Sequence, residues 1–268
     1  MTQNTNTRTT WILVAAFAIA MAWVEAAVVY DLRVLVDRLE PYQPNPLPLA
    51  GPLGAIELAR EVATLVMLLT VGGLAGRTIR TRLAYTAIAF GVWDIFYYGW
   101  LKVMCGWPRS PFDWDILFLL PLPWWGPVFA PVSIAVLLIV WGTLAAAETD
   151  PTRGRERETR LWPLAGAGAA LALYAFMADA LRALPHGAEA VRLVLPETFN
   201  WSLFLVGLAL MAAPIAPMVW LGGGEVGVRW AGSPNAQEYR RLFRRNRQPG
   251  HQGPRHERLQ AVRGRRPE

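Results

Sequence analysis

The amino-acid sequence predicts an all-α integral membrane helical bundle, with six transmembrane helices plus a short interfacial or re-entrant helix. Hydrophobic residues make up 54% of the 268 residues and charged residues only 17%, a balance that is unusual for water-soluble domains. The apolar residues are gathered into blocks of roughly 20 residues, the length that a ~30 Å hydrocarbon layer requires. Arginines are concentrated in alternate segments between these blocks, as the positive-inside rule expects of a multi-pass protein.

The apolar blocks predict the six spans one by one, at 11–30, 56–76, 83–101, 126–147, 161–184 and 199–221. A cleaved signal peptide is the alternative for the first block, but the apolar part of a signal peptide is only about 7 to 15 residues long. After Tyr30 the sequence DLRVLVDRLE can continue the first helix, until prolines from Pro41 onward force an extended connector.

The arginines predict the orientation. Arg-rich segments follow spans two, four and six, at 77–82, 153–160 and 229–266. We therefore expect both termini in the cytoplasm of a bacterium and the protein in its inner (cytoplasmic) membrane. The predicted domains are a cytoplasmic N-terminal tail, a six-span transmembrane domain and a basic cytoplasmic tail, at 1–10, 11–221 and 222–268.

The Trp- and Pro-rich segment 107–127 contains no apolar stretch long enough to cross a membrane. Ser110, Pro111 and Asp113 have the types and spacing of a helix start, with a serine cap, a proline in the first turn and an acid near the positive end of the helix dipole. This pattern predicts a short interfacial or re-entrant helix. A proline-kinked extension of the fourth span is the alternative.

Ionisable and tyrosine residues inside the spans are the candidate ligand-binding residues: Glu25, Glu57, Arg60, Glu61, Asp94, Tyr97, Tyr98 and Asp179. Counted from the cytoplasmic end of each span at 1.5 Å per residue, four of the acids lie at about 18 to 26 Å. We expect them to share one layer in the outer half of the bilayer and to face the bundle interior, because exposing such groups to lipid is costly. Asp179 is the weakest member, since Arg182 can pair with it on the helix surface.

The charge balance of this layer indicates what it could bind. Five acids face one clearly intramembrane base, Arg60, with Arg33 and Arg182 expected only at the rim. Either some carboxyl groups stay protonated, or the site binds a cation or an amine. The alternative is an ion-pair network around Arg60 that only holds the first three spans together.

The basic tail is predicted to lie on the membrane. Tyr239, Leu242 and Phe243 share one helical face among the membrane-surface candidates Arg240, Arg241, Arg244 and Arg245. Such a helix fits the anionic lipids of the cytoplasmic leaflet, and nucleic acid is not an expected partner. The composition beyond Gln248 is typical of disorder.

No cofactor or metal is expected. The one cysteine, Cys105, excludes an internal disulfide and a CxxC site. The three histidines, His186, His251 and His256, lie outside the apolar blocks, which excludes a haem held between two intramembrane histidines.

Four strings carry a family resemblance: WVEAAVVYDLR (23–33), IELAREVATLVML (56–68), VWDIFYYGWLK (92–102) and WDILFLLPLPWWGPV (114–128). In these strings the first half of the chain resembles a family of uncharacterised bacterial multi-pass inner-membrane proteins. The resemblance implies a membrane location and no particular activity or cofactor.

Three functions follow as hypotheses. The acid excess favours binding or transport of a small cationic or protonatable solute. An accessory subunit of a membrane complex, with a purely structural ion network and a membrane-protein partner, is the second. A membrane enzyme that acts on lipid through paired carboxylates is the third, and it ranks lower because the sequence shows no recognisable nucleophile or phosphate motif.

Overall fold

The computed structural model describes residues 2–44, 52–148 and 155–222, and the side chains of 6–44, 52–148 and 158–219. The α-helices are α1 (Thr2–Leu35), α2 (Pro52–Ala75), α3 (Ile79–Cys105), α4 (Phe129–Ala147), α5 (Arg155–Ala183), α6 (Ala188–Leu193), α7 (Trp201–Ala212) and α8 (Ile215–Gly222). A 3-10 turn, Leu184–His186, follows α5. The strands are β1 (Trp114–Ile116) and β2 (Trp125–Pro127).

Four helical segments are long and apolar enough to cross a membrane: Asn6–Leu35, Pro52–Ala75, Phe129–Ala147 and Glu158–His186. They correspond to the first, second, fourth and fifth predicted spans and indicate a helical membrane protein. The sixth predicted span is divided into α7 and α8. Pro214 lies at this division, where its missing N–H and its ring cannot continue a regular helix.

Helix α3 is long enough to span but is not among these four, because Asp94 and several Trp and Tyr side chains lower its mean hydropathy. It packs against α1, α2 and α4. Val14 of α1 shares a hydrophobic cluster with Tyr85 of α3, whereas Ala26 shares the next cluster with Tyr98. The two helices therefore run side by side in the same direction. The three helices that pack against α3 all belong to the four that are apolar enough to cross a membrane.

Small residues allow the helices to approach closely. A β-carbon on Gly142 of α4 would lie 2.5 Å from the carbonyl oxygen of Ala84 in α3, and one on Gly168 of α5 would clash with the backbone of Gly207 in α7. At both crossings only glycine leaves room for the neighbouring backbone. These contacts fix α4 against α3 and α7 against α5.

The segment 107–127 contains a β-hairpin, so the predicted interfacial or re-entrant helix is wrong. β1 and β2 pair antiparallel, with Asp115 opposite Gly126. The Asp113 carboxylate accepts the backbone N–H groups of Arg109 and Ser110, at 2.7 and 3.2 Å. The polar residues that indicated a helix start therefore close a turn with the residues before them, a use of short polar side chains that competes with helix capping.

Candidate functional site

A partly enclosed cavity of about 340 Å³ is lined by the C-terminal half of α1, the middle of α3 and the hairpin. This volume is at the lower end of the roughly 300–1,000 Å³ typical of small-molecule sites. Seven of the eight predicted ligand-binding residues line it: Glu25, Glu57, Arg60, Glu61, Asp94, Tyr97 and Tyr98. The acids of the first three predicted spans thus lie around one space.

Asp179 does not line this cavity. Its carboxylate lies 2.5 Å from Arg182 Nη2 one turn along α5, and the Arg182 side chain is 71% exposed. This is the surface pair that the spacing of the two residues suggested. The structure therefore separates Asp179 from the other candidates.

Arg60 links α1 to α2. Its guanidinium contacts Glu25 of α1 and Glu57 of its own helix, and its Nε donates to Glu57 Oε2 at 2.9 Å. Thr64 Oγ1 donates to Glu25 Oε2 at 3.0 Å. One arginine thus pairs with two of the cavity acids, and its single positive charge offsets only one of their two negative charges.

A second buried pair, Arg33 with Asp115, was not predicted. Arg33 Nη2 lies 2.9 Å from Asp115 Oδ1, and the guanidinium packs 4.2 Å from the Trp107 ring centre. Arg33 was expected at the rim, but α1 continues to Leu35 and the hairpin turns Asp115 inward. Burial raises the pKa of the Asp115 carboxyl, while Arg33 and the Tyr98 hydroxyl act in the opposite direction.

The strand alternation is the signal that could have found Asp115. Trp114, Asp115 and Ile116 form three consecutive strand residues, of which only Asp115 is fully buried. Successive strand side chains point to opposite faces. An acid between two large apolar residues in a short strand is therefore directed away from both of them.

Glu61 holds the hairpin tip. The Leu119 N–H donates to both carboxylate oxygens of Glu61, at 2.9 and 3.1 Å. Glu61 is only 4% exposed, so this contact is shielded from water. The third cavity acid thus has a structural partner in the backbone of the hairpin.

Asp94 differs from the other acids. It is 8% exposed and lines the cavity, yet its buried Oδ2 has no hydrogen-bond partner among the described residues. The neighbouring Trp93 ring packs against Phe90, Tyr97 and Phe118, with centroid distances of 5.4, 6.1 and 6.5 Å. Within the described residues, the Asp94 carboxylate thus has one buried oxygen without a partner and lies next to aromatic rings.

The cavity retains an excess of acids, although a smaller one than predicted. Its lining contains the five carboxyl groups of Glu25, Glu57, Glu61, Asp94 and Asp115, and the three arginines Arg33, Arg38 and Arg60. The buried indole N–H groups of Trp93 and Trp124 find no acceptor within the described part of the chain. These two N–H groups of the cavity lining therefore keep their capacity to donate a hydrogen bond.

The part of the cavity lining that α4, α5 and α7 contribute is an apolar wall. It is formed by Ile134 and Leu138 of α4, Ala169 and Leu173 of α5, and Met211 of α7. None of these side chains can donate or accept a strong hydrogen bond. The cavity therefore has a charged wall and an apolar wall that face one space.

Among residues 2–44, 52–148 and 155–222, no three His, Cys, Asp or Glu residues are grouped so that they could hold a metal ion. The predicted membrane-surface arginines Arg240, Arg241, Arg244 and Arg245 lie outside the described residues. The predicted contact of the tail with anionic lipids stays a prediction.

Comparisons with protein-family models, with curated proteins and with solved structures found no match. The family resemblance of the first half of the chain therefore stays an expectation.

Proposed function

We propose that the cavity binds a small organic cation or a protonatable amine, with Asp94 as the group that accepts it. The buried Asp94 Oδ2, which has no hydrogen-bond partner among the residues that the structure describes, supports this proposal. A buried ionised carboxylate without a partner is strongly destabilising. Ionisable groups within membrane-spanning segments usually face a partner or a water-filled cavity. The ammonium group of a ligand supplies both the missing countercharge and the missing N–H donors.

The chemistry of the wall favours an amine over a metal ion. Calcium takes six to eight oxygen ligands, whereas Glu25, Glu57 and Asp115 are held by arginines and Glu61 by a backbone N–H. An ammonium group needs only one carboxylate, and the electron-rich faces of aromatic rings stabilise it further. Trp93, Tyr97 and Phe118 line the cavity with Asp94.

The structural alternative, an accessory subunit, is favoured by the pairs Glu25–Arg60 and Arg33–Asp115. These pairs connect α1 to α2 and to the hairpin without any ligand. A structural network of this kind does not include Asp94, because no described residue forms a hydrogen bond to its buried Oδ2. The binding proposal accounts for both sets of acids.

The test uses purified protein in mild detergent and benzylammonium as the ligand, with binding measured by titration calorimetry. We expect Asp94→Asn to weaken binding at least tenfold, because the neutral amide carries no countercharge. Asp179→Asn is the matched control, since it makes the same substitution outside the cavity, and it should bind as the unmodified protein does. Equal binding by Asp94→Asn and the unmodified protein would contradict the proposal.

We further propose that α3, and α7 together with α8, also cross the bilayer, which gives six spans with the cavity in the outer half. The loops that follow α1, α3 and α5 meet at one end of the protein. Arg109 Nη2 lies 2.5 Å from Glu40 Oε1, and the Tyr42 hydroxyl donates to the Pro196 carbonyl oxygen at 2.6 Å. Since α2 returns the chain after α1, a loop after α3 on this side requires α3 to cross as well.

A further inference from the structure

The apolar wall of the cavity restricts the chemistry of the ligand further than Asp94 alone does. Asp94, Trp93 and Tyr97 lie on α3, whereas Leu138, Ala169, Leu173 and Met211 come from α4, α5 and α7. A small hydrophilic cation bound at Asp94 would leave this second wall facing empty space or water. A buried water needs two to four polar partners, which these side chains do not offer.

We infer that the ligand is an amphiphilic amine, with its ammonium group at Asp94 and an apolar body against α4, α5 and α7; the inference rests on the proposed amine site. Apolar surface that leaves water contributes about 25 cal/mol per Å². The body of the ligand therefore supplies affinity, and the carboxylate fixes its orientation. This division matches the general design of ligand sites, in which a few polar groups orient a mostly apolar molecule.

Aromatic rings that also line the cavity fit the same ligand. The ring centroid of Phe118 lies 6.5 Å from that of Trp93 and 5.2 Å from that of Trp124. Trp124 in turn stacks on Phe176 of α5, with a centroid distance of 6.4 Å. These rings form a continuous line from α3 across the hairpin to α5. Aromatic faces accept both an ammonium group and hydrocarbon, so the line connects the two ends of an amphiphile.

The experiment is a chain-length series, from ethylammonium to octylammonium, titrated against the unmodified protein at one fixed detergent concentration. We expect the affinity to rise about fourfold for each methylene group that leaves water, until the cavity is filled. The neutral n-alkanols of the same lengths are titrated in parallel. They should bind more weakly at every length, because they lack the charge that Asp94 complements.

Two variants test where the alkyl chain of the ligand lies. Ala169 lines the cavity, while its neighbour Ala170 on α5 is exposed. Ala169→Leu fills the apolar end and should remove most of the gain between butylammonium and octylammonium, with ethylammonium unaffected. Ala170→Leu is the matched control and should keep the full gain. The chain-length dependence of the unmodified protein decides the question even if Ala169→Leu does not fold.

The outcomes separate the two proposals. Binding that Asp94→Asn weakens but that does not change with chain length overturns the amphiphile inference and leaves the amine site standing. Binding that Asp94→Asn does not weaken overturns both. Octylammonium binding is then measured in nanodiscs with and without phosphatidylethanolamine, which distinguishes the two sources of such a ligand. Weaker binding only in the nanodiscs that contain this lipid identifies an aminophospholipid. Equal binding in both identifies a free amine.

Discussion

Arg33 and Asp115 show how two charges can be kept inside an apolar protein. Both side chains are more than nine-tenths buried, so each has lost its hydration. The Trp107 ring below Arg33 replaces part of that hydration on the guanidinium face. A pair of this kind holds α1 to the hairpin only while both partners are present, because either charge alone would be buried without compensation.

Removing one partner should therefore destabilise the protein strongly. We expect Arg33→Met to lower the free energy of unfolding by about 3–5 kcal/mol, because the Asp115 carboxylate is left uncompensated. The double variant Arg33→Met with Asp115→Asn should recover much of this loss. Chemical unfolding in mixed micelles, analysed as a double-mutant cycle, measures both effects.

Arg182→Met is the control for this cycle, because Arg182 also pairs with an acid but lies 71% exposed. Exposed pairs contribute roughly 0–1 kcal/mol, so this variant should unfold almost as the unmodified protein does. A loss for Arg33→Met no larger than that of Arg182→Met would show that the buried pair does not hold the hairpin.

Most of the site residues could be predicted from the sequence because ionisable groups are conspicuous within apolar blocks. Glu25, Arg60, Glu61 and Asp94 were found in this way, and all of them line the cavity. Their partners were harder to predict, since helix spacing indicates only pairs on one helix. That rule found Asp179 with Arg182, but it cannot show that Arg33 reaches a strand residue 82 positions away.

The hairpin is the element on which the polar wall depends. It contributes Asp115 to the pair with Arg33. Its tip is held by the hydrogen bond from the Leu119 N–H to the Glu61 carboxylate. Gly126 allows it to lie against α5, because a β-carbon there would come within 2.7 Å of the Phe176 ring. The hairpin is thus attached to α1, α2 and α5 by three different contacts.

Loss of the Glu61 contact should loosen the hairpin tip. Hydrogen bonds to charged groups contribute about 1.5–3 kcal/mol, so the Leu119 amide should exchange at least tenfold faster in Glu61→Ala. Hydrogen exchange followed by mass spectrometry reports on this segment. Glu57→Ala is the matched control, because Glu57 lies one turn away on α2 and contacts Arg60 instead. Accelerated exchange in both variants would contradict a specific role for Glu61.

The helices were easier to predict than the hairpin. Apolar blocks of roughly 20 residues have one common solution in a membrane, because only a helix satisfies all its backbone groups within the segment. The segment 107–127 has no such length, and Ser110 with Asp113 suits a turn as well as a helix cap. Each strand has only three residues, too few for their alternation to stand out.

In the molecule as a whole, the two ends contain different structural elements and different ion pairs. The cavity end contains the hairpin and the loops after α1, α3 and α5. At the other end Arg80 of α3 lies 2.5 Å from Glu148 and 2.8 Å from Glu158 of α5, and Trp141 of α4 donates to Glu158 at 3.1 Å. This cluster joins α3, α4 and α5 at the end of the protein that contains Arg77, Arg80 and Arg82.

The six-span arrangement can be separated from a four-span one by the side on which two loops lie. If α1, α2, α4 and α5 alone crossed the membrane, the loops after α3 and after α5 would be cytoplasmic. In the six-span arrangement both are external. With the N-terminus in the cytoplasm, as the arginine pattern predicts, the loop after α1 is external and the turn between α2 and α3 is cytoplasmic in both arrangements.

Single cysteines in a Cys105→Ser background test this topology in intact cells with a membrane-impermeant maleimide. We expect Arg109→Cys and Glu189→Cys to be labelled from outside, as the control Glu40→Cys is in both arrangements, while Arg77→Cys is labelled only after lysis. Arg109 and Glu189 have exposed side chains, so an absence of labelling would reflect the side of the membrane and not burial. Labelling of Glu40→Cys alone would mean that α3 does not cross, and it would leave the parallel packing of α1 and α3 incompatible with the bilayer.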